Sequence, residues 1–264
     1  MVDYFAGIDA GSVTTKSVII ADDRKVLGRG LVQTGISGAK ASKQALDMAL
    51  SEAGIGRESL IKIVATGYGR KLVDFADART TEITCHARGA FEKQRSALTL
   101  IDIGGQDSKA ISIDSGGRVK SFVMNDKCAA GTGRFIEVMA RVLETDIVNM
   151  SEIALSAKNT AIINSLCTVF AETEVVGLLA QGAPRDEIAR GLFASVAERV
   201  GSMARKVGVN KNVYISGGVA KIPAVVCALT EYLGTEVSVI EDPQLNGAFG
   251  AAIIAGESQN QSWT

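Results

Sequence analysis

The chain repeats one nine-residue pattern, Ile-Asp-x-Gly-x-x-x-x-Lys, at positions 93 residues apart. The two copies are IDAGSVTTK, from Ile8 to Lys16, and IDIGGQDSK, from Ile101 to Lys109. Each copy lies between two short apolar runs rich in β-branched residues, which are typical of strands. The repeat therefore indicates two homologous halves, each presenting a small-residue turn to a shared cleft.

Hydrophobic patterning favours an α/β protein with mixed sheets, because groups of strands are followed by helices. A chain of 264 residues, 47% of them hydrophobic, is long enough for one large domain or two small lobes. Strands are predicted over Phe5–Asp9, Thr15–Ala21, Ile61–Thr66, Leu98–Ile103, Lys109–Ile113, Val119–Met124, Val213–Ser216 and Val237–Ile240. Helices are predicted over Ala39–Ala53, Phe135–Leu143, Val169–Leu179, Asp186–Val207 and Ala248–Ala255.

Both turns have the features of a phosphate-binding loop. Glycine lets the backbone approach a phosphate, and successive N–H groups form an anion-binding concavity. The predicted contacts are Gly11, Ser12, Val13, Thr14, Thr15 and Lys16 in the first turn and Gly104, Gly105 and Gln106 in the second. Either copy alone could be an ordinary glycine turn, but the pair favours nucleotide binding. Walker A and GxGxxG patterns are absent, which counts against P-loop and Rossmann folds.

Carboxylates and an amide beside the turns have the chemistry that ATP hydrolysis requires. Asp9 and Asp102, at strand ends, are placed to hold a hydrated Mg²⁺, and Asp107 is a further candidate. Gln106 is the candidate for orienting the attacking water.

A third glycine turn, SGGVAK, follows the predicted strand Val213–Ser216. A strand that ends in two glycines brings backbone N–H groups near a nucleotide. Gly217, Gly218 and Lys221 are predicted to line the adenosine side, and Gln244 is predicted to approach the base.

The four cysteines form no CxxC pair, so neither a zinc ribbon nor a single-chain ferredoxin pattern fits. The simplest interpretation of Cys85, Cys128, Cys167 or Cys227 taken singly is a small buried hydrophobe. Cys128, however, lies in NDKCAAGTGRF, just ahead of a glycine turn that opens a predicted helix. Phosphate binding does not require a thiol there.

Charge and hydropathy exclude several classes of partner. A net charge of -1 gives no general attraction to nucleic acid or an anionic membrane. No run of 18 apolar residues predicts a transmembrane helix, and the N-terminus lacks a signal-peptide pattern. We expect a cytoplasmic protein.

The motifs DIGGQDSK, MNDKCAAGTGRF, CTVFAE and ATGYGR resemble the ATP-dependent activators of 2-hydroxyacyl-CoA dehydratases. Related ATPase subunits of benzoyl-CoA reductases share much of this pattern. The resemblance implies the two-lobed fold of actin, Hsp70 and sugar kinases, a duplicated ribonuclease H-like α/β fold with nucleotide in the interlobe cleft. The first lobe would comprise residues 1–96 plus about 246–264, and the second residues 97–245.

The resemblance also implies a homodimer with one [4Fe–4S] cluster bridging the two chains. Matched by motif, its ligands are Cys128 and Cys167 of each chain, both expected immediately before helices. Gly131 and Gly133 would permit close approach of the chain to the cluster and nucleotide. The cofactors would be the cluster, ATP or ADP, and Mg²⁺. A ferredoxin or flavodoxin would donate the electron, and an iron–sulfur dehydratase or reductase would accept it.

Two other functions are left open. A small-molecule kinase of the same superfamily would leave Cys128 and Cys167 without a role. A nucleotide switch related to actin would form nucleotide-dependent polymers and hold no iron. The remaining cysteines, Cys85 and Cys227, match no ligand motif, and Cys227 is expected to be a core residue on a helix. His86, the one histidine, has no visible set of partners for a metal or base role.

Overall fold

The computed structural model describes residues 2–164 and 167–257, which form two compact units. The first unit comprises residues 2–96, 113–119 and 244–257. The second comprises residues 97–112, 120–164 and 167–243. The segment 113–119, which the sequence analysis assigns to the second lobe, packs with the first unit.

The first unit contains a mixed five-stranded sheet. Its strands are β1 (Tyr4–Ala10), β2 (Thr14–Ala21), β3 (Val26–Gln33), β4 (Leu60–Thr66) and β5 (Ala78–Arg79). They lie in the order β3-β2-β1-β4-β5. The pairs β1–β2 and β2–β3 are antiparallel, whereas β1–β4 and β4–β5 are parallel.

Three helices cover the two faces of this sheet: α1 (Gly38–Ala53), α2 (Glu82–Gln94) and α8 (Asn246–Glu257), numbered in chain order. Because side chains alternate along a strand, even-numbered residues of β1 such as Ile8 pack with α1. Phe5 of the same strand packs with α8 and with Cys85 of α2. Asp9 shares the parity of Phe5, so it lies on the face that α2 and α8 cover.

The second unit repeats this arrangement. Its strands are β6 (Leu98–Ile103), β7 (Ser108–Ile113), β8 (Val119–Asn125), β9 (Val213–Ser216) and β10 (Val237–Val239). In the order β10-β9-β6-β7-β8, the first strand of the unit, β6, is central, as β1 is in the first sheet. The shared arrangement confirms the α/β fold of two related halves that the repeat predicted.

Five helices build the core of the second unit: α3 (Gly133–Val142), α4 (Ile147–Ser156), α5 (Thr168–Ala180), α6 (Arg185–Val207) and α7 (Pro223–Leu233). The long helix α6 contributes Leu192 and Val196 to a cluster that includes Ile101 of β6 and Ile215 of β9. Strand β6 is buried at all six positions, so it forms the centre of this unit. The charged positions of α6 lie outside that cluster, as expected for a helix with one solvated face.

Local signals define several helix ends. Ser37 accepts a hydrogen bond from the Lys40 N–H at the start of α1, and Gly54 ends the helix in the left-handed conformation. Asp146 accepts a hydrogen bond from the Asn149 N–H in the same way at the start of α4. Among the described residues, no helix combines the length and apolarity needed to cross a membrane.

Candidate functional site

The first turn connects β1 to β2 and contains an ion pair between the Asp and Lys positions of the repeat. Asp9 and Lys16 lie opposite each other in the antiparallel register. Lys16 Nζ is 3.1 Å from Asp9 Oδ2, and both side chains are largely buried. The seven-residue spacing of Asp and Lys therefore places a carboxylate and its counter-ion at the mouth of the turn.

The hydroxyl groups of the first turn differ in accessibility. Thr15 is fully buried, and its Oγ1 lies 2.9 Å from Thr34 Oγ1. Thr34 Oγ1 also donates to the Gly11 carbonyl at 2.8 Å, which braces the turn from behind. Ser12 is exposed and Thr14 is half-buried, so their hydroxyls are the accessible ones.

The second turn connects β6 to β7 and repeats the ion pair in a more buried form. Lys109 Nζ lies 3.3 Å from Asp102 Oδ2 and 2.6 Å from Asp107 Oδ2. Ser216 Oγ donates to Asp102 Oδ1 at 2.7 Å, so both carboxylate oxygens of Asp102 have partners. Asp102 is only 3% exposed, and these two contacts provide the hydrogen-bond partners that a buried carboxylate needs. Gln106 is exposed at the tip of the turn.

Three glycine segments of the second unit meet at the end of β6. The Gly133 N–H donates to the Gly104 carbonyl at 2.9 Å, and the Arg134 N–H donates to the Gly105 carbonyl at 2.8 Å. Gly217 has φ +89°, and a Cβ atom there would lie 2.2 Å from the Ile103 carbonyl oxygen, so only glycine fits. The structure thus brings the DIGGQD, GTG and SGG motifs together.

The remaining predicted nucleotide contacts lie near these segments in the chain. Gly131 is buried with φ +81°, and Gly218 begins a short 3₁₀ turn that ends at Lys221. Lys221 is exposed. Gln244 is half-buried in the 3₁₀ turn Pro243–Leu245. Val13 contributes its carbonyl oxygen to the Thr34 N–H at 2.9 Å.

Cys128 lies in a loop between β8 and α3 and is half-buried. Asn125 holds this loop, since its Nδ2 donates to the carbonyls of Cys128 at 2.9 Å and Ala130 at 3.1 Å. Cys167 is exposed and is the residue directly before α5. The expectation that both cysteines immediately precede helices is correct for Cys167 and wrong for Cys128, because α3 begins only at Gly133.

The other two cysteines differ sharply in exposure. Cys85 is fully buried on α2, and burial raises the pKa of its thiol to about 12. The expectation that Cys227 is a core residue is wrong: it lies on α7, as predicted, but on the exposed side. Partial burial and the nearby Glu231 carboxylate raise the pKa of the Cys227 thiol. Among residues 2–164 and 167–257, no group of three or more His, Cys, Asp or Glu side chains could hold a metal ion.

These differences predict a cysteine reactivity pattern. In iron-free native protein treated with iodoacetamide at pH 8, we expect Cys167 to be alkylated readily and Cys85 to remain unmodified. The reason is that Cys85 is both buried and protonated, whereas alkylation requires an accessible thiolate. Mass spectrometry of tryptic peptides measures the modification. Labelling of Cys85 before unfolding would contradict the assignment.

Two residues of the site were not identified from sequence. Ser216 was assigned only to a strand end, although it binds Asp102 across 114 positions of the chain. Asn125, which holds the Cys128 loop, is the first residue of the NDKCAAGTGRF motif, and no sequence pattern indicates that role. No local pattern identifies a contact such as that of Ser216, because it depends on β9 lying beside β6.

The duplicated fold, with a glycine turn and an Asp–Lys pair in each half, defines a class: the two-lobed ATPases and kinases of the actin and sugar-kinase type. The chain belongs to the BadF/BadG/BcrA/BcrD ATPase family, whose profile matches residues 6–255.

Individual relatives agree with this assignment. The activator of lactoyl-CoA dehydratase from Anaerotignum propionicum is 48% identical over 255 residues, covering 97% of this chain and 98% of that protein. The crystal structure of Acidaminococcus fermentans (R)-2-hydroxyglutaryl-CoA dehydratase component A superimposes with a TM-score of 0.93, at 40% identity, over 98% of this chain and 100% of that one.

A second solved structure was determined with nucleotide. The activator of 2-hydroxyisocaproyl-CoA dehydratase from Clostridium difficile, with bound ADPNP, matches with a TM-score of 0.90 at 40% identity, covering 99% of this chain and 98% of that one. A glucokinase from Streptomyces griseus matches with a TM-score of 0.61 at 13% identity, over 96% of this chain and 99% of that one, and thus shares the fold alone. These likenesses confirm the predicted fold class and the resemblance to the dehydratase activators.

Proposed function

We propose that this chain is an ATP-dependent activator that delivers one electron to an iron–sulfur partner, with a 2-hydroxyacyl-CoA dehydratase as the first candidate. The observation that carries the proposal is that the second unit contains both a phosphate-type turn and the Cys128 loop, and that backbone hydrogen bonds connect the turn to the helix that follows the loop. The first two N–H groups of α3 bind the turn carbonyls of Gly104 and Gly105. The relatives named above, which are activators of such dehydratases, support the choice of partner.

The cofactor of the proposed reaction is a [4Fe–4S] cluster shared by two copies of the chain. Cys128, which is half-buried, and Cys167, which is exposed, supply two thiols per chain, so two chains supply the four thiolates that such a cluster requires. When bound, the cluster supplies a one-electron redox couple of low potential.

The surface of α5 supports a homodimer. This helix begins directly after Cys167, yet Val169 and Phe170 are each 67% exposed and Val176 is 54% exposed. Exposed apolar groups on one short helix are typical of a surface that another protein covers. A second copy of the chain, packed on this helix, would cover them and bring its own thiols to the same place.

ATP and Mg²⁺ are proposed to bind at the glycine turns. The accessible N–H groups and hydroxyls of Gly11, Ser12 and Thr14 are proposed to bind phosphate in the first unit. Gly104, Gly105 and Gln106 are proposed to do so in the second. Asp9 and Asp102 would hold Mg²⁺ through water, with Lys16 and Lys109 balancing their charge. Gln106, exposed at the turn tip, would orient the attacking water. Gly217, Gly218, Lys221 and Gln244 are proposed to line the adenosine side.

The proposed coupling runs through backbone hydrogen bonds of the second unit. A shift of the turn at Gly104 and Gly105 on hydrolysis would move the first turn of α3, because its N–H groups bind those carbonyls. The Cys128 loop leads directly into that helix turn. ATP drives the change only if it binds one arrangement of turn and helix more tightly than the other.

A related reductase is the second candidate for the electron acceptor. A benzoyl-CoA reductase component from Thauera aromatica is 30% identical over 220 residues, 81% of this chain and 78% of that protein. Its similarity favours an acceptor of the benzoyl-CoA reductase type. A ferredoxin or flavodoxin is proposed as the electron donor in either case. A kinase function would use the same turns but would give no role to Cys128 and Cys167.

The test combines iron analysis with reconstitution. Anaerobically purified protein is assayed for iron and acid-labile sulfide, then mixed with ATP, a low-potential reductant and a purified 2-hydroxyacyl-CoA dehydratase. We expect about four irons per dimer and dehydratase activity that requires hydrolysable ATP. ADPNP in place of ATP serves as the control and should give no sustained activation. A protein that stays free of iron after anaerobic reconstitution would overturn the proposal.

A further inference from the structure

Two buried residues of the first unit, His86 and Thr66, lie near Asp9 and are not among the proposed nucleotide contacts. His86 is on α2 and is 6% exposed, and Thr66 ends β4 and is fully buried. In the parallel register of β1 and β4, Asp9 lies opposite Thr66. The side chains of Asp9 and Thr66 therefore lie on the same face of the sheet, the face that α2 and α8 cover.

Gly247 of α8 touches both His86 and Asp9. A Cβ atom at position 247 would lie 2.8 Å from His86 Nε2 and 3.3 Å from Asp9 Oδ2. The imidazole and the carboxylate therefore both face the same position at the start of α8. The absence of a side chain at Gly247 is what allows α8 to pack onto this pair.

The backbone around His86 is held in place. Asn246 Nδ2 donates to the His86 carbonyl at 3.0 Å, and Asn246 is itself fully buried. This bond ties the start of α8 to α2 at the level of the imidazole. The position of the ring is thus set by two helices rather than by a loop.

His86, Thr66 and Asp9 are all buried polar residues. Burying a polar group costs free energy unless the group is hydrogen-bonded. The Thr66 hydroxyl is buried and interacts with the Cys85 thiol. Asp9 Oδ2 is bound by Lys16 at 3.1 Å. A buried imidazole behind a paired carboxylate matches the arrangement in which an outer group orients a metal-binding carboxylate.

We propose that His86 is a positioning residue that keeps the Asp9 carboxylate in the orientation needed to bind Mg²⁺ with the nucleotide. This inference rests on the proposed ATPase function, because it assigns Asp9 to the Mg²⁺ of that reaction. His86 lies behind Asp9 on the covered face of the sheet, so it acts through Asp9 rather than on the nucleotide.

The test measures Mg²⁺ dependence of nucleotide binding without any turnover. A fluorescent ATP analogue is titrated into wild-type, His86→Ala and His86→Gln proteins, in EDTA and over a range of Mg²⁺ concentrations. We expect His86→Ala to raise the Mg²⁺ concentration needed for half-maximal enhancement by roughly 10- to 100-fold. Binding in EDTA should change little. His86→Gln, which retains a hydrogen-bonding side chain of similar length, should recover part of the loss.

The matched control is Ile253→Val, on α8 and 1% exposed in the apolar cluster of the same unit. It should lower the melting temperature and leave the Mg²⁺ dependence at the wild-type value. A merely structural His86 would give the same result as Ile253→Val, and that outcome would overturn the inference. If His86→Ala does not fold, His86→Gln and His86→Asn give the same comparison.

The two proposals fail in different ways in this experiment. A wild-type protein that binds no nucleotide, with or without Mg²⁺, would contradict the proposed ATPase function. A wild-type protein that responds to Mg²⁺, together with His86 variants that respond identically, would contradict only the role of His86.

Discussion

Cys128→Ala protein purified anaerobically should contain essentially no iron or acid-labile sulfide and should fail to activate a dehydratase. The substitution removes one thiolate per chain, and therefore two of the four that a bridging cluster requires in a dimer. Iron and sulfide analysis with a visible spectrum measures the loss. Nucleotide affinity should remain close to that of the wild type, because Cys128 lies in a loop outside the glycine turns.

Cys227→Ala is the matched control for that experiment. Cys227 is also outside the core, but it lies on α7 beside Glu231, with its Sγ 3.6 Å from the carboxylate. Its loss should leave the iron content unchanged. Full iron content in Cys128→Ala, or an equal loss in both variants, would show that Cys128 is not a ligand.

Lys109→Met should destabilise the chain strongly. Lys109 is 2% exposed and lies between the carboxylates of Asp102 and Asp107. Its removal leaves Asp102 as a buried charge that retains Ser216 but loses the Lys109 cation. Breaking a buried ion pair in this way costs about 3–5 kcal/mol of unfolding free energy. For a chain of this size the melting temperature should fall on the order of 10 °C, as measured by circular dichroism.

The repeat supplies the control for this prediction. Lys16 occupies the same position in the first half, but its side chain is 14% exposed, against 2% for Lys109. Lys16→Met should therefore cost less, since water can solvate Asp9 in part. The double variant Lys109→Met with Asp102→Asn should recover much of the lost stability, because it removes the buried charge that has lost its Lys109 counter-ion. An equal loss of unfolding free energy in Lys109→Met and Lys16→Met would show that the difference in burial between the two ion pairs does not matter.

The strands that were predicted have a strand-like local composition. Strand β3, which was missed, contains glycines that only its packing against α1 explains. Strands β1, β2, β4 and β6 were predicted within one or two residues, because each is a short run rich in apolar and β-branched residues. Strand β3 was missed because Gly28 and Gly30 lower its strand propensity. A Cβ at either glycine would lie about 2 Å from a carbonyl of α1, so the glycines are there to admit that helix.

Helices α2 and α4 were missed for a related reason. Threonine, cysteine and histidine in α2 are only moderate helix formers, and packing on α8 compensates for that. Helix α4 begins with a local signal, the Asp146 cap, but only three of its ten residues are buried. Burial was the harder quantity to predict: Cys85 and Cys227 were both expected to be buried, and only Cys85 is.

The amino-acid sequence was enough to predict the duplicated α/β architecture, the two phosphate-type turns and the motif that contains Cys128. The signals for the turns are local: glycine positions, and an Asp–Lys spacing that matches the register of two antiparallel strands. Which side chains surround those motifs became known only from the tertiary structure. Ser216 reaches Asp102, and Gly247 packs on His86 and Asp9, from distant parts of the chain. Such contacts depend on which strands and helices become neighbours, and neighbours are chosen by the packing of the whole core rather than by local preference.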